Sequence, residues 1–143
     1  MSTTKPLKAL SVKQPWAGLI IAGIKTVENR TWSTKHTGPL AICSTQKPDA
    51  RAMAEMTRKL GTLPACCFVN GAILGTVELT ALIWLADDGI PETDHASPDM
   101  VSINQWWNRD AVGWILENPK PLKSTIPLKG RLGLFNIPDN LLP

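Results

Sequence analysis

The densest group of side chains able to do chemistry lies in residues 23–30, with the sequence GIKTVENR. In an extended strand alternate side chains share a face, so Thr26, Glu28 and Arg30 are predicted to point into one volume. A desolvated Lys25 beside them could lose its proton and act as a base. The structural alternative is an internal ion pair between Glu28 and Arg30. The sequence favours neither interpretation.

These residue types suit the hydrolysis of an amide, which needs a nucleophile, a base that activates it and a donor for the oxyanion. Thr26 could attack the carbonyl carbon, or Lys25 could activate water. Glu28 or Glu117 could hold the lysine or carry a proton to the leaving amine. Neither histidine lies in a cluster typical of a triad, and the motifs GxSxG, GxxxxGK[ST], GxGxxG and HExxH are absent.

Aromatic residues are biased towards tryptophan: the chain has six Trp, two Phe and no Tyr. Three tryptophans lie in apolar segments and are predicted to be core: Trp16, Trp84 and Trp114. Trp32 could cover a pocket. Adjacent Trp106 and Trp107 are expected to point one inward and one outward, with Trp107 as the candidate stacking surface for a base.

Length and composition indicate one soluble globular domain over residues 1–143, with 43% hydrophobic and 19% charged residues. No apolar run reaches the roughly 18–20 residues that cross a bilayer, and the polar start lacks a secretory signal. We therefore expect a cytoplasmic protein without membrane association. Three cysteines, two of them adjacent, favour a reducing compartment, and no metal or other cofactor is predicted. The oligomeric state is left open.

Charge is unevenly divided along the chain, although the net charge is only +3. The first sixty residues are strongly basic, residues 61–110 are acidic, and residues 111–143 are weakly basic. Chance is one interpretation. The other is a basic face suited to phosphate, and hence to RNA.

Hydrophobic patterns and breakers predict short elements throughout the chain. Strands are predicted at 8–13, 24–32, 40–43, 71–85 (bent or paired, with a bulge at Gly75), 112–117 and 130–137. Helices are predicted at 16–22 and 48–60, with a helical turn at 101–109, a mobile acidic loop at 86–99 and a Pro-rich crossing at 118–129. Such elements predict an α+β fold, a small and partly closed β-barrel with helices packed outside.

The run Leu10–Ala17, with the sequence LSVKQPWA, and the run Gly23–Trp32, with the core GxKTxExR, resemble the opening motif of ASCH domains. The resemblance continues through GPLAI, GTVEL, GWILEN and KGRLGLF at residues 38–42, 75–79, 113–118 and 129–135. It implies a small β-barrel of the PUA-like superfamily. It also implies binding of RNA or of modified bases.

Some small bacterial ASCH proteins are amidohydrolases that remove acyl groups from N4-acylated cytidine, so the resemblance implies a nucleoside substrate. They use a Lys, a Thr and a Glu. Lys25 matches that lysine, but the position of the catalytic Thr, three residues on, is Glu28 here, and the nearest threonine is Thr26. The predicted catalytic residues are Lys25, Thr26, Glu28, Glu78 and Glu117. The predicted substrate contacts are Gln14, Trp16, Asn29, Arg30, Trp32, Trp107 and Asn118. The alternative is a non-catalytic module that binds RNA or a modified nucleotide.

Overall fold

A computed structural model describes residues 6–95 and 99–143. Its strands are β1 (Pro6–Val12), β2 (Val27–Arg30), β3 (Gly38–Ser44), β4 (Ala72–Leu85), β5 (Pro91–Thr93), β6 (Val112–Pro127) and β7 (Leu134–Pro138). Its α-helices are α1 (Trp16–Ile21), α2 (Ala50–Leu60) and α3 (Met100–Trp106), and Ala65–Phe68 and Asp139–Leu141 form short 3-10 turns. Within this part of the chain, no helix is both long and apolar enough to span a membrane.

All seven strands belong to one sheet, in the order β2-β6-β4-β3-β1-β7, with β5 added beside β4. Only β1 and β3 run parallel; the other pairs are antiparallel. The predicted mixed fold of strands and helices is confirmed. Among the described residues, β2 and β7 are the two edge strands of this order and do not pair with each other. The sheet therefore does not close into a complete barrel.

The main core lies on the sheet face covered by α1. Strand residues such as Leu10, Ile42 and Trp114 pack there against Ala17, Ile20 and Ile21 of the helix. Every residue of α1 after Trp16 is buried, as its apolar sequence predicts. Burial of each large aliphatic side chain contributes about 1.5–3 kcal/mol, so this face anchors α1 firmly.

The second helix begins at an N-cap, Asp49, whose carboxylate accepts a hydrogen bond from the amide of Ala52. The helical spacing of Ala50, Met53, Met56 and Leu60 would place them on one face, but they are not all buried. Ala52 and Met56 are buried, whereas Ala50 and Leu60 are exposed. The buried face of this helix is therefore centred on Ala52 and Met56.

The longest strands, β4 and β6, pair along most of their length with three register shifts. The predicted Pro-rich crossing is wrong, because residues 118–127 continue β6 as one strand. The bulge predicted at Gly75 is confirmed. A Cβ there would lie 2.4 Å from the Lys120 carbonyl oxygen, so only glycine fits. The predicted acidic loop at 86–99 contains β5, and residues 96–98 lie outside the described part.

Strand β2 is shorter than the predicted strand at 24–32. The amides of Ile24 and Lys25 both donate to the Leu19 carbonyl, so this backbone still completes the end of α1. Sheet pairing begins only at Val27, opposite Ile115. Lys25 and Thr26 therefore precede the strand and do not follow its alternation.

Candidate functional site

Glu28 lies at the centre of an ion-pair network on β2. Its Oε1 accepts a hydrogen bond from Lys25 Nζ at 3.0 Å, and its Oε2 accepts from Arg30 Nε at 3.0 Å. Lys25 and Glu28 side chains are only 5% and 10% exposed. Lys25 Nζ also donates to the Val27 carbonyl, and Arg30 Nη2 donates to the Ser11 carbonyl at 2.8 Å. Two cations thus compensate one buried carboxylate, as burial of charge requires.

The network borders two adjoining cavities that share Trp16, Glu28 and Asn29 in their walls. One, of about 380 Å³, is further lined by Ser11, Val12, Lys13, Arg30, Thr45, Arg131, Leu132 and Gly133. The other, of about 390 Å³, is further lined by Lys25, Glu55, Met56, Lys59, Gln105 and Trp106. We call the two together the tryptophan cleft. Each cavity falls within the size range of small-ligand sites.

Lys25 lies beneath Trp16 in this cleft. Its Nζ is 5.7 Å from the centre of the indole ring, within the range of a cation–π interaction. Two of its three N–H donors are used by Val27 and Glu28. The group is therefore arranged as a hydrogen-bond donor to these two partners.

As predicted, one of the adjacent residues Trp106 and Trp107 points inward and the other outward, but the inward one is Trp107 and not Trp106. Trp107 is buried in a cluster with Val27 and Ile103, and its indole N–H donates to the Ala111 carbonyl at 3.0 Å. The predicted substrate contact at Trp107 is therefore wrong. Trp106 is half-buried and lines the cleft. The helix α3 ends at Trp106, and the backbone at Trp107 is extended. The two side chains therefore point in different directions, with that of Trp107 directed inward.

Asn29 fastens the end of α3 to β2. Its Nδ2 donates to the Trp106 carbonyl at 2.9 Å, and its Oδ1 accepts from the Asn108 amide at 2.8 Å. Asn29 borders both cavities, but its polar atoms are already used. It thus holds Trp106 at the cleft, while Arg30, also predicted as a contact, lines the cleft through its ion pair with Glu28.

Two other predicted contacts do not line the cleft. Gln14 is fully buried, where its Nε2 donates to the carbonyls of Cys66 and Val69 and its Oε1 accepts from the Gly18 amide. It ties α1 to the 3-10 turn. Trp32 packs edge-on against Trp114, with ring centres 4.8 Å apart, and adds to the main core.

The core positions predicted for the remaining tryptophans are partly right. Trp114 is fully buried. Trp84 is half-buried against the main core and borders a different cavity, with Asp87, Asp88 and Glu92. Trp16 is also half-buried, since one side packs on the core and the other lines the cleft.

Thr26 lies in a second, smaller cavity of about 190 Å³, which we call the Thr26 cavity. Its lining residues are Thr26, Asp99, Ser102, Ile103, Ile115, Leu116 and Glu117. The Thr26 and Ser102 hydroxyl oxygens are 2.7 Å apart and hydrogen-bonded. The prediction that Thr26 shares a volume with Glu28 and Arg30 is wrong, because β2 begins only after Thr26.

The remaining predicted residues also lie away from the tryptophan cleft. Glu78 on β4 and Glu117 on β6 are direct cross-strand neighbours. Glu117 borders the Thr26 cavity and is exposed. Asn118 follows it with φ of 52°, exposed to solvent beside a register shift. Of the predicted catalytic set, the structure places Lys25 and Glu28 in the tryptophan cleft, and it places Thr26 and Glu117 in the Thr26 cavity.

The three cysteines are free thiols, and two of them support α1. Cys66 Sγ lies 3.3 Å from the Gly18 carbonyl oxygen and Cys67 Sγ 3.6 Å from that of Pro15. A hydrogen bond from the Cys67 thiol lowers the pKa of Cys66 to about 7. Burial raises the pKa of Cys43 to about 12. Over residues 6–95 and 99–143, no three His, Cys, Asp or Glu side chains group as a metal site would need.

The sequence pattern of the ASCH domain matches residues 10–95, which include α1, β2 and the Lys25–Glu28–Arg30 network. The chain belongs to the ASCH domain family. It is 33% identical over 139 residues to human activating signal cointegrator 1, and 31% identical to the mouse protein. These alignments cover 92% of the chain, which spans about a fifth of the length of these relatives, 22% in each case.

A solved structure supports the same fold. The crystal structure of ASCH from Zymomonas mobilis is similar with a TM-score of 0.50 at 14% identity, over 93% of this chain and 88% of that one. A mutant form of the Zymomonas protein gives a TM-score of 0.51. At this identity the likeness establishes the fold alone. The resemblance seen in the sequence and the PUA-like fold class are thus confirmed.

Proposed function

We propose that the tryptophan cleft binds the base of a nucleoside. The observation that carries this proposal is that Trp16 and Trp106 line one cavity together with the Lys25–Glu28 pair. Bases stack on indole rings with about 1–3 kcal/mol each. Both indoles also pack against a small cluster of Leu19, Met56, Leu63 and Cys67. The aromatic walls are therefore supported before a ligand arrives.

The polar groups of this cavity suit a cytosine-type base. A carboxylate accepts a hydrogen bond from the exocyclic N4 amino group, as Glu28 is placed to do. The remaining donor of Lys25 can bind a ring nitrogen or carbonyl oxygen. A base with a donor beside an acceptor thus matches the Lys25–Glu28 pair. A purely apolar ring would exclude water from these two charged groups without replacing its hydrogen bonds.

Cations at the mouth of the cleft suit a phosphate on the same ligand. Lys13 and Arg131 are exposed and line the cavity that contains Arg30. Glu28, the one carboxylate lining that cavity, is already paired with Lys25 and Arg30. The field at this opening is therefore positive, which favours a nucleotide or RNA.

The second candidate is hydrolysis of an N4-acyl group from cytidine, favoured by the 3.0 Å contact between an ammonium and a carboxylate at the cleft. Thr26 lies in the other cavity, so we propose water as the nucleophile. Glu28 accepts a proton as the water oxygen bonds to the acyl carbon, and Lys25 donates to the oxyanion. The carbon–nitrogen bond then breaks, and Glu28 returns the proton to N4. The products are cytidine and the free acid.

Calorimetric titration with N4-acetylcytidine 5′-monophosphate tests the binding proposal. We expect Trp106→Ala to weaken binding at least tenfold, because a stacking surface is lost. Trp84→Ala is the matched control, since Trp84 is half-buried beside another cavity. Equal affinities of all three proteins would contradict the proposal.

Acetate release from the same ligand tests hydrolysis separately. Glu28→Gln keeps the shape of the side chain but removes the proton acceptor, so turnover should fall at least a hundredfold. Binding without turnover in the unaltered protein would leave the binding proposal and remove the hydrolytic one. Unchanged turnover in Glu28→Gln would retain hydrolysis but overturn the assigned roles.

A further inference from the structure

The loop between β6 and β7 carries a feature that base binding in the cleft does not explain. Leu132 is 99% exposed, the most exposed large hydrophobic side chain in the described part of the chain. It nevertheless stands at the cleft, because Arg131, Leu132 and Gly133 line the same cavity as Trp16 and Glu28. An apolar side chain held in water at the mouth of a polar cavity gains free energy only when something covers it.

The loop is fixed at both ends. The amide of Leu128 donates to the Gly71 carbonyl at 3.0 Å, and Leu134 pairs with Leu10 in the sheet. Between them Gly130 lies directly against β1. A Cβ at this position would come within 1.9 Å of Ser11 Oγ, so any larger residue would require the Ser11 side chain to move. Leu132 is thus presented from an anchored loop.

Basic residues lie beside this leucine. Lys129 and Arg131 both precede it in the sequence KGRLG, which contains no acidic residue. Lys13 lines the same cavity. An apolar residue next to cations matches a nucleic-acid strand, in which phosphates alternate with bases that can be unstacked.

Resting on the proposed base binding, we propose that Leu132 is a wedge that selects a base within a single-stranded RNA over a free nucleotide. A base that enters the cleft must leave the stack with its neighbour in the strand, which costs free energy. Leu132 takes the vacated place and packs on the neighbouring base. A free nucleotide has no neighbour to lose or to cover, so Leu132 contributes nothing to its binding.

The test compares two ligands and two loop variants. The ligands are N4-acetylcytidine 5′-monophosphate and a five-nucleotide RNA with N4-acetylcytidine at its centre. We expect Leu132→Ala to weaken RNA binding about tenfold and to leave nucleotide binding unchanged, because only the strand meets the lost side chain. Leu132→Met should retain RNA binding. Val101→Ala, at a residue 82% exposed outside the cleft, is the matched control.

The possible failures are distinguishable. Equal RNA affinity in Leu132→Ala and the unaltered protein overturns the wedge and leaves base binding intact. Equal weakening for both ligands also overturns it, since Leu132 would then contact the bound nucleotide itself. Absence of binding to either ligand by the unaltered protein overturns both proposals. Loss of binding to anionic phospholipid vesicles in Leu132→Ala, with RNA binding unchanged, would assign the loop to a lipid surface and overturn the wedge.

Discussion

Lys25 and Thr26 are neighbours in the sequence, yet they serve two different cavities. Lys25 joins Glu28 and Trp16 in the tryptophan cleft, where charges are paired and aromatic rings form the walls. Thr26 faces α3 in the smaller cavity, where two hydroxyl groups bond to each other beside Glu117. Only the first region combines a buried charge, an aromatic surface and space for a base.

The contrast arises from the junction between α1 and β2. Amides of residues 24 and 25 complete the helix end, so the lysine side chain can fold towards Glu28 three residues on. Regular alternation starts at Val27. A continuous string of polar residues can therefore be divided between two sites when a strand begins within it.

Loss of the Lys25 ammonium should have the largest effect. Lys25→Met removes one of the two cations bonded to the buried Glu28 carboxylate and also the donor to the Val27 carbonyl, so it should lower the free energy of unfolding by about 3 kcal/mol. Urea denaturation measures this change. Lys13→Met, at an exposed lysine of the same cleft, should change it by less than about 0.5 kcal/mol. Equal changes in the two variants would show that the Lys25–Glu28 pair contributes no more to stability than an exposed lysine does.

Reactivity of Cys66 reports on the packing of the 3-10 turn against α1, the helix that begins with Trp16. Because its pKa is lowered to about 7, its thiolate fraction should rise about tenfold between pH 6 and 8. Iodoacetamide labelling, resolved by peptide mass, measures this profile. Cys43, with a pKa of about 12, should stay unlabelled. Cys67→Ala removes the donor and should move the Cys66 profile to higher pH; an unmoved profile would refute this cause.

The Thr26 cavity should be much less sensitive. Thr26→Val removes one hydroxyl–hydroxyl hydrogen bond, which contributes about 1 kcal/mol to stability. Binding in the tryptophan cleft should change by less than about twofold, because small effects at separate sites remain independent. Thermal denaturation and calorimetric titration measure the two quantities. Ser102→Ala should reproduce both results, and a large loss of binding in either variant would erase the distinction between the cavities.

The smallest effect is expected at the edge of that cavity. Glu78 and Glu117 face each other across β4 and β6, and like charges in this position repel. Glu117→Gln should therefore raise the free energy of unfolding by about 0.3 kcal/mol at low salt. The gain should vanish in 1 M salt and in a Glu78→Gln background. Destabilisation at low salt would mean that Glu117 has a favourable partner instead.

Much of the fold could be predicted from local pattern. The apolar run of α1, the cap at Asp49 and the bulge at Gly75 each follow from chemistry within a few residues. The continuation of β6 through its prolines could not, because it depends on register shifts against β4. Pairing of distant strands is set by contacts that no local window contains.

The site divides in the same way. Lys25 and Glu28 are three residues apart, and their association was within reach of the sequence. Trp106, Arg131 and Leu132 come from elements distant along the chain, and only the folded sheet brings them to the cleft. To predict that Trp106 and not Trp107 lines the cleft, the end of α3 would have to be known to one residue.

We expect the ligand to bind in the tryptophan cleft and not in the Thr26 cavity. Titration of ¹⁵N-labelled protein with N4-acetylcytidine 5′-monophosphate, followed by nuclear magnetic resonance, distinguishes the two cavities. The indole N–H signals of Trp16 and Trp106 should shift, while those of Trp84 and Trp107 stay in place. Shifts confined to the amides of Thr26, Ser102 and Glu117, with unmoved Trp16 and Trp106 signals, would contradict the claim.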